Sequence, residues 1–157
     1  HDQSFCLTDL RIYGCMNDRY KNYNPHATVD DGSCRDRLDN PCGTITNDGN
    51  QIVQSYDHYL GQDPGYVIID FNMMSIPDKM EVFYNSKKVT STFEVSGNQS
   101  GFVGNDISHS QNQVNLCFEY DPSGGRPTYC TVKMTAPTTQ TGWNYKIHCP
   151  VKGKCPK

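Results

Sequence analysis

The chain has 157 residues, with 14 Lys plus Arg against 17 Asp plus Glu for a net charge of −3 when His is neutral. That length suits one domain, or one domain with a small appendage, and a hydrophobic share of 35% with 20% charged residues describes a thin, β-rich core rather than a helical one. With no basic run or stripe, the composition excludes the electrostatic footprint of a nucleic-acid binder or of a protein drawn to an anionic membrane. No stretch nears the roughly 18 consecutive apolar residues of a spanning helix, so neither nucleic acid nor membrane insertion is expected.

The sequence opens at His1 without an initiator Met or a charged-then-apolar leader, as a chain does after signal-peptide removal or at a cut boundary. Residues 1–43 hold little apolar periodicity and many turn formers: Asn17-Asp18, Asn22, Asn24-Pro25, Asp30-Asp31-Gly32-Ser33 and Asn40-Pro41. Such a segment buries little surface, so its order must come from cross-links, hydrogen bonds or a cation.

Cysteines stand at Cys6, Cys15, Cys34 and Cys42, and again at Cys117, Cys130, Cys149 and Cys155. The grouping points to two disulfide sets, one per segment. Zinc is the competing use, but it wants a tight C-x2-C pair that is absent. The expected pairing is Cys15 with Cys34, Cys6 with Cys42 as an enclosing bridge, and the C-terminal four among themselves. An even count in a polar, thin-cored chain implies an oxidising compartment, hence a secreted, extracellular protein.

From residue 44 the texture becomes strand-like. Gly65 to Met73 predicts a strand with Val67, Ile69, Phe71 and Met73 on one face. Lys79 to Tyr84 is a second, and Asn85-Ser86-Lys87 a turn into a third at Val89 to Val95. Gln113 to Tyr120 follows with Val114, Leu116, Phe118 and Tyr120 inward, then Tyr129 to Met134, and Trp143 to Cys149 with Trp143, Tyr145, Ile147 and Cys149 inward. No window shows helical spacing of apolar residues over more than a turn or two. The fold class expected is mostly β: a disulfide-rich module over 1–43 and an antiparallel, jelly-roll-like β-sandwich over 44–157, with the single Trp in its core.

Within the first segment, Gly14-Cys15 followed by Asn22-Tyr23-Asn24-Pro25-His26-Ala27-Thr28-Val29-Asp30-Asp31-Gly32-Ser33-Cys34 resembles a short Cys-flanked repeat of secreted and cell-surface proteins. Met16-Asn17-Asp18-Arg19 departs from that repeat's first turn. The resemblance implies an extracellular spacer or adhesion-type module and no enzyme. Ile76 to Asn85, Val95-Ser96-Gly97, Thr141 to Tyr145 and Cys149-Pro150 are similar to pieces of secreted sandwich domains of the CUB and carbohydrate-binding kinds, in which calcium, where present, sits among loop carboxylates.

Several residues are candidates for chemistry. Asn24, Asp30 and Asp31 offer hard oxygens to calcium, or cap their own turns, and Asp70, Asp78 and Asp106 are the sandwich positions for such an ion. Ser55, Asp57 and His58 are close in sequence, but strand neighbours point to opposite faces, so they are read as a chance cluster and not a triad. His1 invites comparison with copper-dependent polysaccharide oxygenases, with His58, His109 or His148 as the further nitrogen. Asn98-Gln99-Ser100 is an N-glycosylation acceptor at Asn98. Tyr13, Tyr20 and Tyr23 sit where there is little core to fill, and serve a sugar surface, an assembly interface or simple packing.

The sequence leads first to a non-catalytic secreted structural or adhesive protein that self-associates in a matrix, filament or surface layer. The alternative is a lectin-like module for extracellular polysaccharide, with or without calcium, and the copper enzyme comes third.

Overall fold

The computed structural model describes residues 10–48, 52–73, 78–93, 102, 115–137 and 142–156, and the chain divides into two compact units, His1–Leu38 and Asp39–Lys157. No helix among the described residues is long and apolar enough to cross a membrane.

Among its described residues, the first unit is held by turn chemistry around the Cys15–Cys34 bridge. Strands β1 (Tyr13–Gly14) and β2 (Val29–Asp30) pair in parallel, and Cys15, bridged to Cys34, is buried together with Leu38. Side-chain oxygens do the work that a core does elsewhere. Asn17 Oδ1 accepts from Arg19 N, Asn24 Oδ1 from His26 N, Asp30 Oδ1 from Gly32 N and Asp31 Oδ1 from Ser33 N. Each is an Asx-turn, in which the side chain stands in for a backbone acceptor. Asn22 ties two segments by donating to Ser33 O at 2.7 Å and accepting from Arg35 N at 2.9 Å.

The second unit is a sandwich. Its strands are β3 (Asn40–Pro41), β4 (Ile45–Asp48), β5 (Val53–Tyr59), β6 (Gly65–Asn72), β7 (Lys79–Tyr84), β8 (Lys87–Ser91), β9 (Leu116–Tyr120), β10 (Tyr129–Thr135) and β11 (Trp143–Ile147). A five-stranded sheet has the order β3-β5-β10-β7-β8, and a four-stranded sheet the order β4-β11-β6-β9. Apart from the β7–β8 hairpin, the chain changes sheet at every step from β4 to β11. That alternation is the eight-stranded jelly roll, with β3 added in parallel at one edge.

The unit boundary falls five residues before the expected 43/44 position. Asn40–Pro41 pair with His58–Tyr59, and Cys42 is bridged to Cys149, so this stretch belongs to the sandwich.

Alternation in each strand sends one residue set inward. Val67, Ile69 and Phe71 from β6, Leu116, Phe118 and Tyr120 from β9, and Trp143, Tyr145 and Ile147 from β11 meet Met80, Val82 and Tyr84 from β7 and Cys130, Val132 and Met134 from β10. Aromatic rings fill the middle: Trp143 stacks on Tyr145 with centroids 5.8 Å apart, and Tyr56 meets Trp143 edge-on at 5.9 Å.

A polar chain crosses this core through the buried His58 and Tyr145. Asn40 O can only accept, so His58 carries its proton on Nδ1 and donates to it at 3.1 Å. Its Nε2 then accepts from the Tyr145 hydroxyl at 2.6 Å, and Tyr145 Oη is in turn hydrogen-bonded by Thr46. The file runs from β4 through β11 to β5 and β3, joining both sheets. Burial pulls the His58 pKa below its ordinary value and pushes the Tyr145 phenol up, so both stay neutral.

The cysteines correct the expected pairing. Cys15–Cys34 forms, but Cys42 bridges Cys149 across the two groups, which removes it as a partner for Cys6, and Cys117 bridges Cys155. Cys130 is a free thiol: strand alternation turns it inward opposite His58, where it is fully buried. Cys149 lies beyond the end of β11 and is exposed, not inward as expected. Cys6, and Val114 of the expected Gln113–Tyr120 strand, lie outside the described residues. After β11 the chain continues beside β6, where Tyr66 and Val151 exchange backbone hydrogen bonds at 2.8 and 2.9 Å. A Cβ on Gly65 would stand 2.2 Å from Val151 O, so only glycine admits this approach.

Two measurements check this description. Non-reducing peptide mapping returns linked pairs for Cys15–Cys34, Cys42–Cys149 and Cys117–Cys155, with Cys130 alkylated only after unfolding; Cys130 found in a linked peptide contradicts the sandwich register. The second is a pH series. The folded His58 pKa lies below its unfolded value, so below about pH 6.5 the unfolded chain binds the extra proton and stability falls with pH. Urea midpoints should show this acid-side slope, of at most about 1.4 kcal/mol per pH unit, reduced in His58→Gln. Tyr145→Phe, which leaves Nε2 without its donor, costs about 1–3 kcal/mol near neutrality.

Candidate functional site

The inward set of β5, β10 and β7 determines what those strands show to the outside. With His58, Cys130, Val132 and Val82 buried, the intervening residues face outward on the five-stranded sheet. Tyr129 stands directly opposite Tyr59, Thr131 is flanked by Asp57 on one side and Phe83 on the other, and Lys133 lies between Ser55 and Glu81. Tyr59, Tyr129 and Phe83 are half-buried, with ring surface still open to solvent. Between them the polar groups are fixed: Thr131 Oγ1 donates to Asp57 Oδ1 at 2.5 Å.

The face leads into a cleft of about 170 Å³ lined by Phe83, Asn85, Ser86, Pro127, Tyr129 and Thr131. Its walls come from two turns. The two-residue β7–β8 turn places Asn85 at φ 53° and Ser86 at φ 65°, the left-handed pair of a type I′ hairpin. Asn tolerates this region, while the second position ordinarily goes to Gly, and a side chain with a Cβ there costs about 1 kcal/mol. The other wall is Pro127, whose loop is braced from both sides. The buried Tyr84 hydroxyl lies 2.7 Å from Pro127 O and 3.1 Å from Asp121 O, and burial pushes its pKa up to about 12. From the solvent side, Arg126 reaches Asp121 O through Nε at 2.9 Å and Asp121 Oδ2 at 3.0 Å. The Asp121 carboxyl is held below its usual range by Ser123, with Arg126 adding to the effect.

A second cleft, of about 250 Å³, opens on the outer face of the four-stranded sheet among Tyr66, Ile68, Asp70, Asn115, His148 and Val151. There His148 Nε2 lies 2.6 Å from Asp70 Oδ2, with both side chains well exposed. Among the described residues the lining offers one phenol ring, Tyr66, and no Ser or Cys beside the His–Asp pair.

The residues expected to form sites are scattered. Asn24, Asp30 and Asp31 each accept from the backbone of their own turn, and the Ser33 hydroxyl and N–H hold the Asp31 carboxyl below its usual range. Asp70 is engaged with His148, and Asp78 is buried just before β7 in the opposite sheet. Among the described residues no three His, Cys, Asp or Glu side chains gather as a metal site. His58 has no ring nitrogen left for copper, since Asn40 and Tyr145 engage both. Ser55 and Asp57 face away from His58, as strand alternation requires. Tyr13 is exposed on β1, while Tyr20 and Tyr23 are half-buried. His1, Asp106, His109 and Asn98 lie outside the described residues.

Sequence reasoning did not single out Tyr59, Phe83, Ser86, Tyr129 or Thr131. One signal was present: in Tyr129–Thr135 the outward register reads Tyr, Thr, Lys, Thr against Cys, Val, Met inward. Comparison of the chain with protein-family models, with curated proteins and with solved structures gave no match in any of the three.

Proposed function

We propose that the chain is a secreted, non-catalytic carbohydrate-binding protein that takes extracellular polysaccharide on the outer face of its five-stranded sheet. The observation that carries this reading is the side-by-side pair Tyr59 and Tyr129, with Phe83 across Thr131 and the Asp57–Thr131 hydrogen bond between the rings. A sugar ring has an apolar C–H face and an equatorial belt of hydroxyls. Flat aromatic rings meet the first, and short polar side chains fixed between them meet the second. Neighbouring strands are about 4.8 Å apart, so the rings, with Phe83 one row along from the Tyr59–Tyr129 pair, reach about 10 Å across three strands, enough for a disaccharide. The bridges Cys15–Cys34, Cys42–Cys149 and Cys117–Cys155 support an oxidising, extracellular setting.

Self-association is the second reading, favoured by Ile45, which is 65% exposed on the edge strand β4. Both edges of the five-stranded sheet carry the usual guards against strand addition. β8 shows Lys87 and Lys88, and β3 is two residues long and includes Pro41.

The test is retention on a panel of insoluble polysaccharides with sedimentation run in parallel. The carbohydrate reading expects a monomer retained by at least one matrix and equally so in EDTA, because stacking and side-chain hydrogen bonds supply the contacts. Tyr59→Ala and Tyr129→Ala should each weaken retention about tenfold or more while the thermal midpoint stays close to the parent. A chain that ignores every matrix and sediments as an oligomer that Ile45→Lys dissociates supports self-association instead.

A further inference from the structure

Strain sits at one end of the aromatic face. Ser86 holds the left-handed conformation in a hairpin turn where glycine is the unstrained choice, and it lines the cleft with Asn85, Phe83, Pro127, Tyr129 and Thr131. A residue kept in a costly conformation beside a cavity points from strain to function. The fold has no need of the Ser86 side chain, which is exposed and outside the core.

We propose that this cleft is an end-capturing subsite: it receives the terminal ring of a glycan chain, with Ser86 and Asn85 meeting that ring's hydroxyls, while Tyr59 stacks on the next ring. The inference rests on the carbohydrate reading above. Tyr129 and Phe83 supply apolar surface in the cleft, with Thr131 directly opposite Phe83 and two residues along β10 from Tyr129. The Asn85–Ser86 turn and Pro127 close it, and Tyr84 and Arg126 hold the Pro127 loop in place before any ligand arrives. A ring that enters along the row from Tyr59 therefore stops at the turn. The cleft, about 170 Å³ in volume, is on the scale of a single sugar ring.

The experiment uses the whole chain and soluble oligosaccharides of graded length, cut from whichever polysaccharide retains it, with affinities from titration calorimetry. Affinity should level off at about two units, the span of the row, and Ser86→Ala and Ser86→Gly should each weaken binding about fivefold or more. The thermal midpoint of Ser86→Gly should equal or exceed the parent's, which separates lost contacts from lost folding. If affinity keeps rising with every added unit and both Ser86 variants bind as the parent does, while Tyr59→Ala still weakens binding, end capture is overturned and the carbohydrate reading stands. If the parent chain binds no glycan of the panel, both fall together.

Discussion

A hydrogen-bond file with the buried Tyr145 and His58 at its centre, Thr46 to Tyr145 to His58 to Asn40 O, sets what this molecule can show to the outside. Hydrogen bonds in a low-dielectric core are strong when complete and costly when broken, so the file allows β5 one register only. Side chains alternate along a strand with a period of two, and a slip of one residue would exchange the faces. Because His58 is fixed inward, Asp57 and Tyr59 are fixed outward. Through the pairing of Cys130 with His58, the same constraint passes to β10 and presents Tyr129 and Thr131 beside them. The Cys42–Cys149 bridge, from the residue after β3 to the chain beyond β11, closes the same region covalently.

The jelly roll was legible in the sequence where aliphatic and aromatic residues alternate with polar ones. Val67, Ile69, Phe71 and Met73, then Leu116, Phe118 and Tyr120, then Trp143, Tyr145 and Ile147 all point inward as their spacing requires. β7 matches its predicted bounds, Lys79 to Tyr84. β5 was not legible, and the reason is chemical. Its inward set is Gln54, Tyr56 and His58, residues whose burial depends on partners that sequence spacing does not reveal. β4 was hidden in the same way, since its inward Thr46 answers to Tyr145 across the strands.

The candidate site was harder to read than the fold. Tyr59, Phe83 and Tyr129 are far apart in the chain, and only the order β5-β10-β7 makes them neighbours. Tyrosines in the first segment stand out in the sequence because nothing there needs a large ring, yet in the structure two of the three are partly covered. Carboxylates likewise looked like ion ligands when counted along the chain. In the structure Asp30 and Asp31 serve their own turns, and Asp70 faces His148. A free, buried Cys130 could not be told from its bridged neighbours, because pairing depends on which strand faces which and not on the number of cysteines.

Backbone amide shift mapping puts the central claim to its most direct test. The ¹⁵N-labelled chain is titrated with a soluble oligosaccharide from a retaining polysaccharide and compared with a dilution series that contains no sugar. The account predicts that sugar moves the signals of Asp57, Tyr59, Phe83, Asn85, Ser86, Tyr129 and Thr131 as one contiguous patch, while dilution moves none of them. Shifts confined to the Tyr66–His148 cleft, or changes along β4 that follow protein concentration alone, would contradict it.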